Sequence, residues 1–376
     1  MMRRTISIFS LLLALLASAL IDKTSLYPSN VSAAPQAPGA DTQLRQGDAL
    51  EHPLAAPLPR DHPNAQLAQE LADLPPVPTP SLKLSAKRKG RKSATREVAC
   101  DLRAGSAYEV PKSFAPLSPG EQDLEGDFMP GYPGPDTQAD SKDQTKQPQI
   151  VIGADNRVRI KYTTIYPWRA VCKVIVTFPS GNSYVGSGTL IGAKYALTAG
   201  HVVHLEDEGG WAMSVRVIPG LDGTYQPYGD AWGTTLRSYT GWTEDGSSNH
   251  DFALVTLDRN IGDSTGYLGY MDVGSNPLVA VTGHLSGYPG ELGGGMAQYY
   301  HSKQIGSVGF YLIYYSIDTS GGQSGSGVFK VSGTERKVFG VHTGWINDWP
   351  YGNINQATRI NTQKYNSLKS WIASGF

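Results

Sequence analysis

Residues 322–327 read Gly-Gln-Ser-Gly-Ser-Gly, and the serine in this stretch decides how the rest of the chain is interpreted. Glycines beside a serine let the backbone turn tightly and leave neighbouring N–H groups free to point one way. Acyl transfer needs such a nest, because an oxyanion develops and must meet preorganised donors. The stretch therefore predicts a nucleophile at Ser324, with the backbone N–H groups of Gly322 and Ser324 as the oxyanion hole. Taken alone, it is also compatible with a flexible Gly/Ser loop. It is not a Gly-x-Ser-x-Gly nucleophile elbow, because Ser326 occupies the fifth position of that motif.

A histidine follows a short apolar run in the sequence Leu-Thr-Ala-Gly-His at residues 197–201. A serine hydroxyl is a weak nucleophile and needs an adjacent base whose pKa lies near neutrality, which an imidazole supplies. His201 fits this role if the fold brings it to Ser324. A structural histidine is one alternative. A metal ligand is another, because His204 and Glu206 stand close by, but no third clustered ligand of zinc type follows. We therefore expect no metal and no cofactor.

An aspartate opens the apolar run at residues 252–257. A catalytic imidazole needs a buried carboxylate that fixes its tautomer and stabilises its cationic form. Asp251 can be held at the edge of the core, whereas Asp258, the second candidate, lies beside Arg259 in a turn-like setting. We expect His250 to be an exposed neighbour. The chain order His, Asp, Ser is that of the chymotrypsin-like peptidases and differs from the subtilisin and α/β-hydrolase orders.

The sequence from residue 150 onward predicts an all-β domain. Short runs rich in Val, Ile, Tyr and Thr alternate there with Gly, Pro, Asn and Ser, and Pro-Ser-Gly-Asn at 179–182 is typical of a hairpin loop. We expect strands at 171–178, 183–185, 195–198, 214–218, 252–257, 278–282, 310–317 and 337–341. Helical spacing appears in the stretch 362–374, with Thr362 as N-cap. Many short strands with almost no helix indicate a β-sandwich or a pair of small β-barrels, closed by a C-terminal α-helix.

The start of the chain resembles an export signal. Arg3 and Arg4 precede an apolar run from Ile6 to Ile21, and small residues predict cleavage after Ala19. A second small-residue site ends at Ala34. An apolar run of this length could also span a bilayer. Its position at the N-terminus, the basic start and the polar sequence that follows favour a cleaved signal peptide, residues 1–19, a secreted protein and no stable membrane association.

Residues 20–149 are predicted to be a propeptide. They are dense in Pro, Asp, Gln, Lys and Gly, so they bury too little to offset the entropy of ordering, and we expect a largely disordered segment. The basic cluster at 87–92 is typical of a solvated, processed linker. The formal net charge of -1 gives no field that would attract nucleic acid. Of the two cysteines, Cys100 and Cys172, the second lies in an apolar run and is expected to be a buried, inert thiol.

From residue 150 to the C-terminus the chain resembles the bacterial glutamyl endopeptidases. The matching stretches are 151–157, 198–201, 227–229, 266–270, 286–290, 318–326 and 340–343. The resemblance implies a chymotrypsin-like serine protease domain over 150–376, built from two six-stranded antiparallel β-barrels with a C-terminal α-helix. It also implies the catalytic triad His201, Asp251 and Ser324, and polypeptide substrates cut after Glu, with Asp as a second candidate. It also implies a monomer made as a zymogen.

The resemblance further implies a specificity pocket. In the family, a threonine five residues before the nucleophile, a histidine eighteen after it and the mature N-terminal amine bind the substrate carboxylate; here these are Thr319, His342 and the amine released at Ile150. The physical requirement is that a buried carboxylate be paired or hydrogen-bonded. The alternatives are an ordinary strand hydroxyl for Thr319 and a core-strand histidine for His342.

Two departures from the family pattern bear on activation. Gln323 stands where trypsin-like zymogens have the aspartate that captures a new N-terminus, so activation is expected to act through the pocket. The bond between Gln149 and Ile150 has no acidic residue before it. A separate maturation protease is therefore expected, or trimming from acidic residues upstream, namely Glu97, Glu109, Glu121 and Glu125. The rival hypotheses are the same fold with another residue preference and a non-catalytic binding or adhesion protein.

Overall fold

The computed structural model describes residues 74–78, 95–110, 151–272, 278, 281–348 and 352–375, all within the unit Leu44–Phe376. The predicted signal peptide, Ile150 and most of the predicted propeptide lie outside these residues. Within the described part of the chain, none of the helices has the length and apolar character to cross a bilayer.

Most of the described residues form antiparallel strands. In chain order the strands are β1 (Glu97–Asp101), β2 (Ser106–Glu109), β3 (Val158–Arg159), β4 (Val171–Thr177), β5 (Ser183–Gly192), β6 (Tyr195–Thr198), β7 (His204–Leu205), β8 (Gly210–Trp211), β9 (Ser214–Pro219), β10 (Ala231–Tyr239), β11 (Ala253–Leu257), β12 (Gly269–Tyr270), β13 (Thr282–Gly287), β14 (Tyr299–Val308), β15 (Leu312–Tyr315), β16 (Gly327–Ser332), β17 (Glu335–Asp348) and β18 (Gly352–Arg359). The α-helices are α1 (Gly200–Val203), α2 (Thr240–Thr243), α3 (Gly262–Thr265) and α4 (Thr362–Ala373), and short 3₁₀ turns occur at 168–170, 206–208, 248–250 and 293–295.

The first barrel contains β4, β5, β6, β11, β10 and β9, which pair in that order. Pairing of β10 with both β9 and β11 closes the ring. Its interior is lined by buried apolar side chains from these strands, among them Val174, Leu197 and Val255. The loop at 179–182 joins β4 to β5 as predicted, with the Gly181 N–H donating to Phe178 O at 2.9 Å.

The second barrel contains β17, β16, β13, β14, β15 and β18, and pairing of β17 with β18 closes it. Its core includes Leu285, Ile313 and Phe339, all fully buried. The prediction of two closed six-stranded barrels is confirmed. One predicted strand, 278–282, is displaced: Leu278 packs into this core from a turn, and β13 begins only at Thr282.

The C-terminal helix α4 packs on the first barrel. Leu368 and Trp371 are buried in the first-barrel core, as the helical spacing predicts. Its N-cap is Asn361 and the prediction of Thr362 is wrong by one position. Asn361 has extended backbone angles, and its side-chain oxygen accepts the N–H of Lys364 at 3.1 Å. That bond satisfies an amide that the first helical turn leaves unpaired.

Two described stretches that precede residue 150 join the first barrel. Strand β1 pairs antiparallel with β10 and also with β2, so the two strands form a hairpin on the sheet. Further upstream, Pro76 forms an isolated bridge with Val185 of β5. The sequence pattern did not predict either contact.

Candidate active site

Ser324 lies in a loop that precedes β16 and is 3% exposed. The loop is fastened to both barrels. Its Ser324 carbonyl accepts the N–H of Ser187 on β5 at 2.8 Å, and the Gly322 carbonyl accepts the Ser187 hydroxyl at 2.8 Å. On the other side, the Gly325 N–H donates to His342 O of β17 at 2.8 Å. The candidate nucleophile is therefore held at the junction of the two barrels.

Glycine at position 325 is a steric requirement. Its φ is +89°, and a Cβ there would lie 2.1 Å from the Thr198 hydroxyl and 2.2 Å from Ser187 O. Thr198 is the last residue of β6, the strand that leads directly into helix α1 and His201. The glycine-rich stretch found in the sequence thus lets the loop of Ser324 pack against the strand end that carries the histidine.

His201 and Asp251 are in direct contact. One Asp251 carboxylate oxygen accepts the backbone N–H of His201 at 2.8 Å, and the other lies 2.7 Å from the ring Nδ1. Both side chains are almost completely buried, with relative exposures of 0% and 3%. A carboxylate at Nδ1 favours the tautomer in which Nδ1 carries the proton and Nε2 holds a lone pair. This is the state in which the ring can accept a proton.

The Nε2 atom of His201 is buried and makes no hydrogen bond within the described part of the chain. The chain around it is close to Ser324. A Cβ at Gly186 would be 3.2 Å from the Val202 side chain and 3.3 Å from Ser324 O, so helix α1 and the serine loop share this neighbour. Helix α1, which carries His201, therefore lies close to the loop of Ser324, and acyl transfer requires a base near the serine nucleophile.

The other ionisable residues near the predicted triad have structural contacts. Asp258 accepts the Trp232 N–H at 2.9 Å in an exposed position, so the second candidate is not next to the imidazole of His201. His250 is buried, not exposed as expected, because its ring packs between Tyr239 and Tyr311 at centroid distances of 5.6 and 5.2 Å. Burial, with a contribution from the charge of a nearby lysine, lowers the pKa of His250 to about 3.

His204, a residue of the alternative metal hypothesis, packs against an aromatic ring. His204 stacks edge-on against Trp211 with ring centres 5.1 Å apart, and burial lowers its pKa to about 4. Among the described residues there is no group of three or more His, Cys, Asp or Glu side chains placed to hold a metal ion. Both cysteines are buried free thiols, and burial raises the pKa of the Cys172 thiol, as expected for an inert residue.

The two side chains predicted for the specificity pocket are both buried. Thr319 is 2% exposed and His342 is 3% exposed. The His342 N–H donates to Ser326 O at 2.8 Å, and its Nδ1 lies 2.9 Å from the Tyr315 hydroxyl and 3.1 Å from Gln356 O. A carbonyl can only accept, so Nδ1 carries the proton. Burial lowers the pKa of His342 to about 3, so the ring is neutral.

The segment that follows residue 150 is tied to the same loop. Both oxygens of the fully buried Asp318 carboxylate accept backbone N–H groups, from Ile152 and from Asn156, each at 2.9 Å. Asp318 immediately precedes Thr319. The third predicted pocket member, the amine at Ile150, lies outside the described residues. The bond from Ile152 to Asp318 fixes a residue two positions after Ile150 in the sequence.

Arg157 is a site residue that the sequence analysis missed. Its side chain is 1% exposed, and Nη1 donates to the Ser320 hydroxyl at 2.7 Å and to Gln323 Oε1 at 3.0 Å. Nη2 donates to Glu291 at 2.6 Å and to Asp155 at 2.8 Å. Gln323, which departs from the zymogen pattern, is thus the acceptor of an arginine. Arg157 belongs to the stretch 151–157 that resembles the family, but the sequence analysis gave it no role of its own.

Comparison with known proteins agrees with this geometry. Residues 186–341 match the family described as "Trypsin-like peptidase domain". A glutamyl endopeptidase of Bacillus licheniformis is 36% identical over 245 residues, which is 62% of this chain and 73% of that protein. The chain belongs to the glutamyl endopeptidase family. Like its family, it is a serine endopeptidase that acts on polypeptides.

Two further relatives extend the comparison. A protein of Bacillus subtilis named "Extracellular metalloprotease" is 32% identical over 240 residues, 63% of this chain and 74% of that protein. The solved "Structure of Glu endopeptidase in complex with MPD" superposes with a TM-score of 0.52 and 30% identity, covering 60% of this chain and all of that one. The likeness covers the two barrels.

Proposed function

We propose that this chain is a secreted zymogen that matures into an endopeptidase with a preference for cleavage after Glu. Ser324 Oγ attacks the carbonyl carbon of the scissile bond and its proton moves to His201 Nε2. The N–H groups of Gly322 and Ser324 bind the oxyanion. His201 then gives the proton to the leaving amine, and water hydrolyses the acyl-enzyme by the same steps. Asp251 orients His201 and stabilises its cation.

The contact between His201 and Asp251 carries this proposal. It is buried, it uses both carboxylate oxygens, and it leaves Nε2 directed away from the carboxylate. A purely structural Asp–His pair has no need for the tight packing of a glycine-flanked serine loop against the adjacent strand end. A binding protein on this fold would also not require a nucleophile held between two barrels.

The preference for Glu is supported by the surroundings of the serine loop. Thr319 and His342 lie on either side of Ser324 in sequence, and His342 is joined to the serine loop by backbone hydrogen bonds to Gly325 and Ser326. A substrate carboxylate near His342 would raise the pKa of that imidazole and favour its charged form. An amine freed at Ile150 would lie within two residues of Ile152, which Asp318 binds beside Thr319. The glutamyl endopeptidases among the relatives agree with this proposal.

The test is turnover of matched peptides by the mature protein. The peptides differ only in the residue before the cut, which is Glu, Gln, Asp, Phe or Lys. Gln is the important control, because it has the shape of Glu without the charge. We expect Glu to exceed Gln by at least about tenfold in kcat/KM, and Ser324→Ala to remove turnover of all of them. Equal cleavage of the Glu and Gln peptides would refute the assignment of a carboxylate-binding pocket, while the assignment of the catalytic triad would stand.

Secretion and maturation are tested on the same preparation. The relative named "Extracellular metalloprotease" and the apolar N-terminus of the chain support export. We expect the protein recovered outside the cell to begin at Ile150 or Val151, to elute as a monomer, and to fail to appear outside when residues 1–19 are deleted. An extracellular protein that still begins at Met1 would contradict both the signal and the zymogen assignments.

A further inference from the structure

The hairpin at 95–110 is built into the first barrel. Strand β9 pairs with β10 at Ala231 and Trp232. Further along β10, the pairing partner on this side is β1, from Asp101 opposite Thr235 to Glu97 opposite Tyr239. Without β1 this part of β10 would expose its backbone hydrogen-bonding groups as a sheet edge. Three side chains of β1 are also buried: Val98, Ala99 and Cys100.

The carboxylate of Glu97 fastens the hairpin to the C-terminal helix. One oxygen accepts the Ser367 hydroxyl at 2.5 Å and the other accepts the Trp371 indole N–H at 2.7 Å. Both donors belong to α4, which is far from the hairpin in sequence. Backbone bonds extend the contact, since the Thr240 N–H donates to Arg96 O at 2.8 Å. None of these contacts depends on the peptide bond before residue 150.

The stretch Leu74–Pro78 covers a different edge, on β5. The Val77 N–H donates to Val185 O, and the Val185 N–H donates to Pro75 O, both at 2.8 Å. The Val77 side chain is fully buried, and Leu74 packs on the cluster that contains Tyr288.

This β5 edge is the one that holds the nucleophile loop. Two residues after Val185 on the same strand, the Ser187 N–H binds Ser324 O. N–H groups two residues apart on a strand point to the same side. A polypeptide that lies across Ser324 and extends along this edge would need the backbone groups of Val185, which Leu74–Pro78 already uses.

We propose that these two stretches form one inhibitory subunit that stays bound after the chain is cut near residue 150. The hairpin is the anchor, and Leu74–Pro78 is the cover on β5. Because both stretches belong to the same fragment, the anchor keeps the cover attached to the domain. Cutting the chain is then insufficient for activity, and the fragment must be removed or degraded. The inhibitory part rests on the proposed function, whereas retention of the fragment does not.

Retention is tested in full-length Ser324→Ala, which cannot digest itself. A recognition sequence for an unrelated site-specific protease is placed between Gln149 and Ile150, the chain is cut, and the product is analysed by size exclusion. We expect the two pieces to elute together. Glu97→Ala should weaken the complex by about tenfold or more, because two buried donors lose their acceptor. Glu109→Ala is the matched control, since Glu109 lies on the same hairpin with an exposed side chain. The proposal would be overturned if the two pieces of the parent separated as readily as the two pieces of Glu97→Ala.

Inhibition is tested in the chain that keeps Ser324. Initial rates on a Glu peptide are measured directly after the cut, for the parent, for Val77→Asp and for Pro75→Ala, whose side chain is exposed. We expect the parent and Pro75→Ala to be suppressed at least about 100-fold relative to the domain freed of its fragment, and Val77→Asp to approach the free domain. Full activity with the fragment still bound would refute the inhibitory role. If no form cuts any peptide, the proposed function fails and the inhibitory role with it, while the elution result stands.

Discussion

Replacement of Asp251 by asparagine is the substitution whose effect follows most directly from the geometry. The amide has the shape of the carboxylate, so its oxygen can keep the 2.8 Å bond from the His201 backbone N–H. Its NH₂ group would then face Nδ1, at the position now 2.7 Å away. An NH₂ group only donates, so Nδ1 must become the acceptor and the proton moves to Nε2. The imidazole then has no lone pair available for the proton of Ser324.

The expected loss is about 10³–10⁴-fold in kcat, or about 4–5.5 kcal/mol of transition-state stabilisation. The assay is turnover of a Glu peptide by the mature enzyme, with the thermal unfolding midpoint as a check that the fold is retained. Asp258→Asn is the control, because the Asp258 side chain is exposed and accepts the Trp232 N–H. It should retain activity within about twofold. A loss below about tenfold for Asp251→Asn, or equal losses for the two variants, would refute the assignment.

Three other substitutions test the pocket, the oxyanion loop and a buried charge. Thr319→Val should lower the Glu-to-Gln ratio of kcat/KM by about tenfold, measured with the matched peptides, because a hydroxyl bonds a charged acceptor more strongly than a neutral one; an unchanged ratio contradicts the pocket. Gly322→Ala should abolish turnover, because the φ of Gly322 is +96° and an added Cβ would lie 2.5 Å from the carbonyl oxygen of Tyr288. Gly333→Ala is the control, since the φ of Gly333 is +55° and an added Cβ would meet nothing within 4 Å. It should lower the free energy of unfolding by about 1 kcal/mol and leave activity intact. Lys364→Met should raise the free energy of unfolding at pH 7 by about 1–3 kcal/mol, because burial lowers the pKa of this lysine from 10.5 to about 7. The unfolded chain binds that proton more tightly, so the native protein loses stability as the pH falls from about 10.5 to about 7, and the gain in the variant should vanish above pH 10.5. Lys369→Met, on the exposed side of the same helix, should change little at any pH.

The barrels could be predicted because their signals are local. Alternating apolar runs and turn residues specify strands one at a time, and the hairpin loop at 179–182 joins two strands that are neighbours in sequence. The order of His201, Asp251 and Ser324 along the chain then indicated a chymotrypsin-like architecture. The contact between His201 and Asp251 followed from the chemistry, because a catalytic imidazole needs a carboxylate at its second nitrogen.

What the sequence did not predict depends on partners that are distant along the chain. Strand β1 is a short run within a polar segment, and its partner β10 lies more than a hundred residues away. The expectation that His250 is exposed is wrong, because its ring is buried against Tyr239 and Tyr311, which belong to other parts of the chain. Arg157 carried no local pattern of its own, since its role comes from acceptors in the serine loop and at Glu291.

Gln323, which stands where trypsin-like zymogens have an aspartate, is hydrogen-bonded to Arg157. Gln323 Oε1 accepts both the Arg157 guanidinium, at 3.0 Å, and the Ser320 N–H, at 3.1 Å. The residue before the nucleophile is therefore held by an arginine of the segment that follows residue 150. Arg157 acts as a positioning residue for the serine loop in this arrangement.

The assignment of Ser324 as the nucleophile is tested most directly by covalent labelling of the mature enzyme with a serine-directed fluorophosphonate, followed by peptide mass mapping during loss of activity. We expect one adduct, on Ser324, that forms at the same rate as turnover of the Glu peptide disappears. Loss of activity with the adduct elsewhere, or full activity in enzyme labelled completely at Ser324, would contradict it.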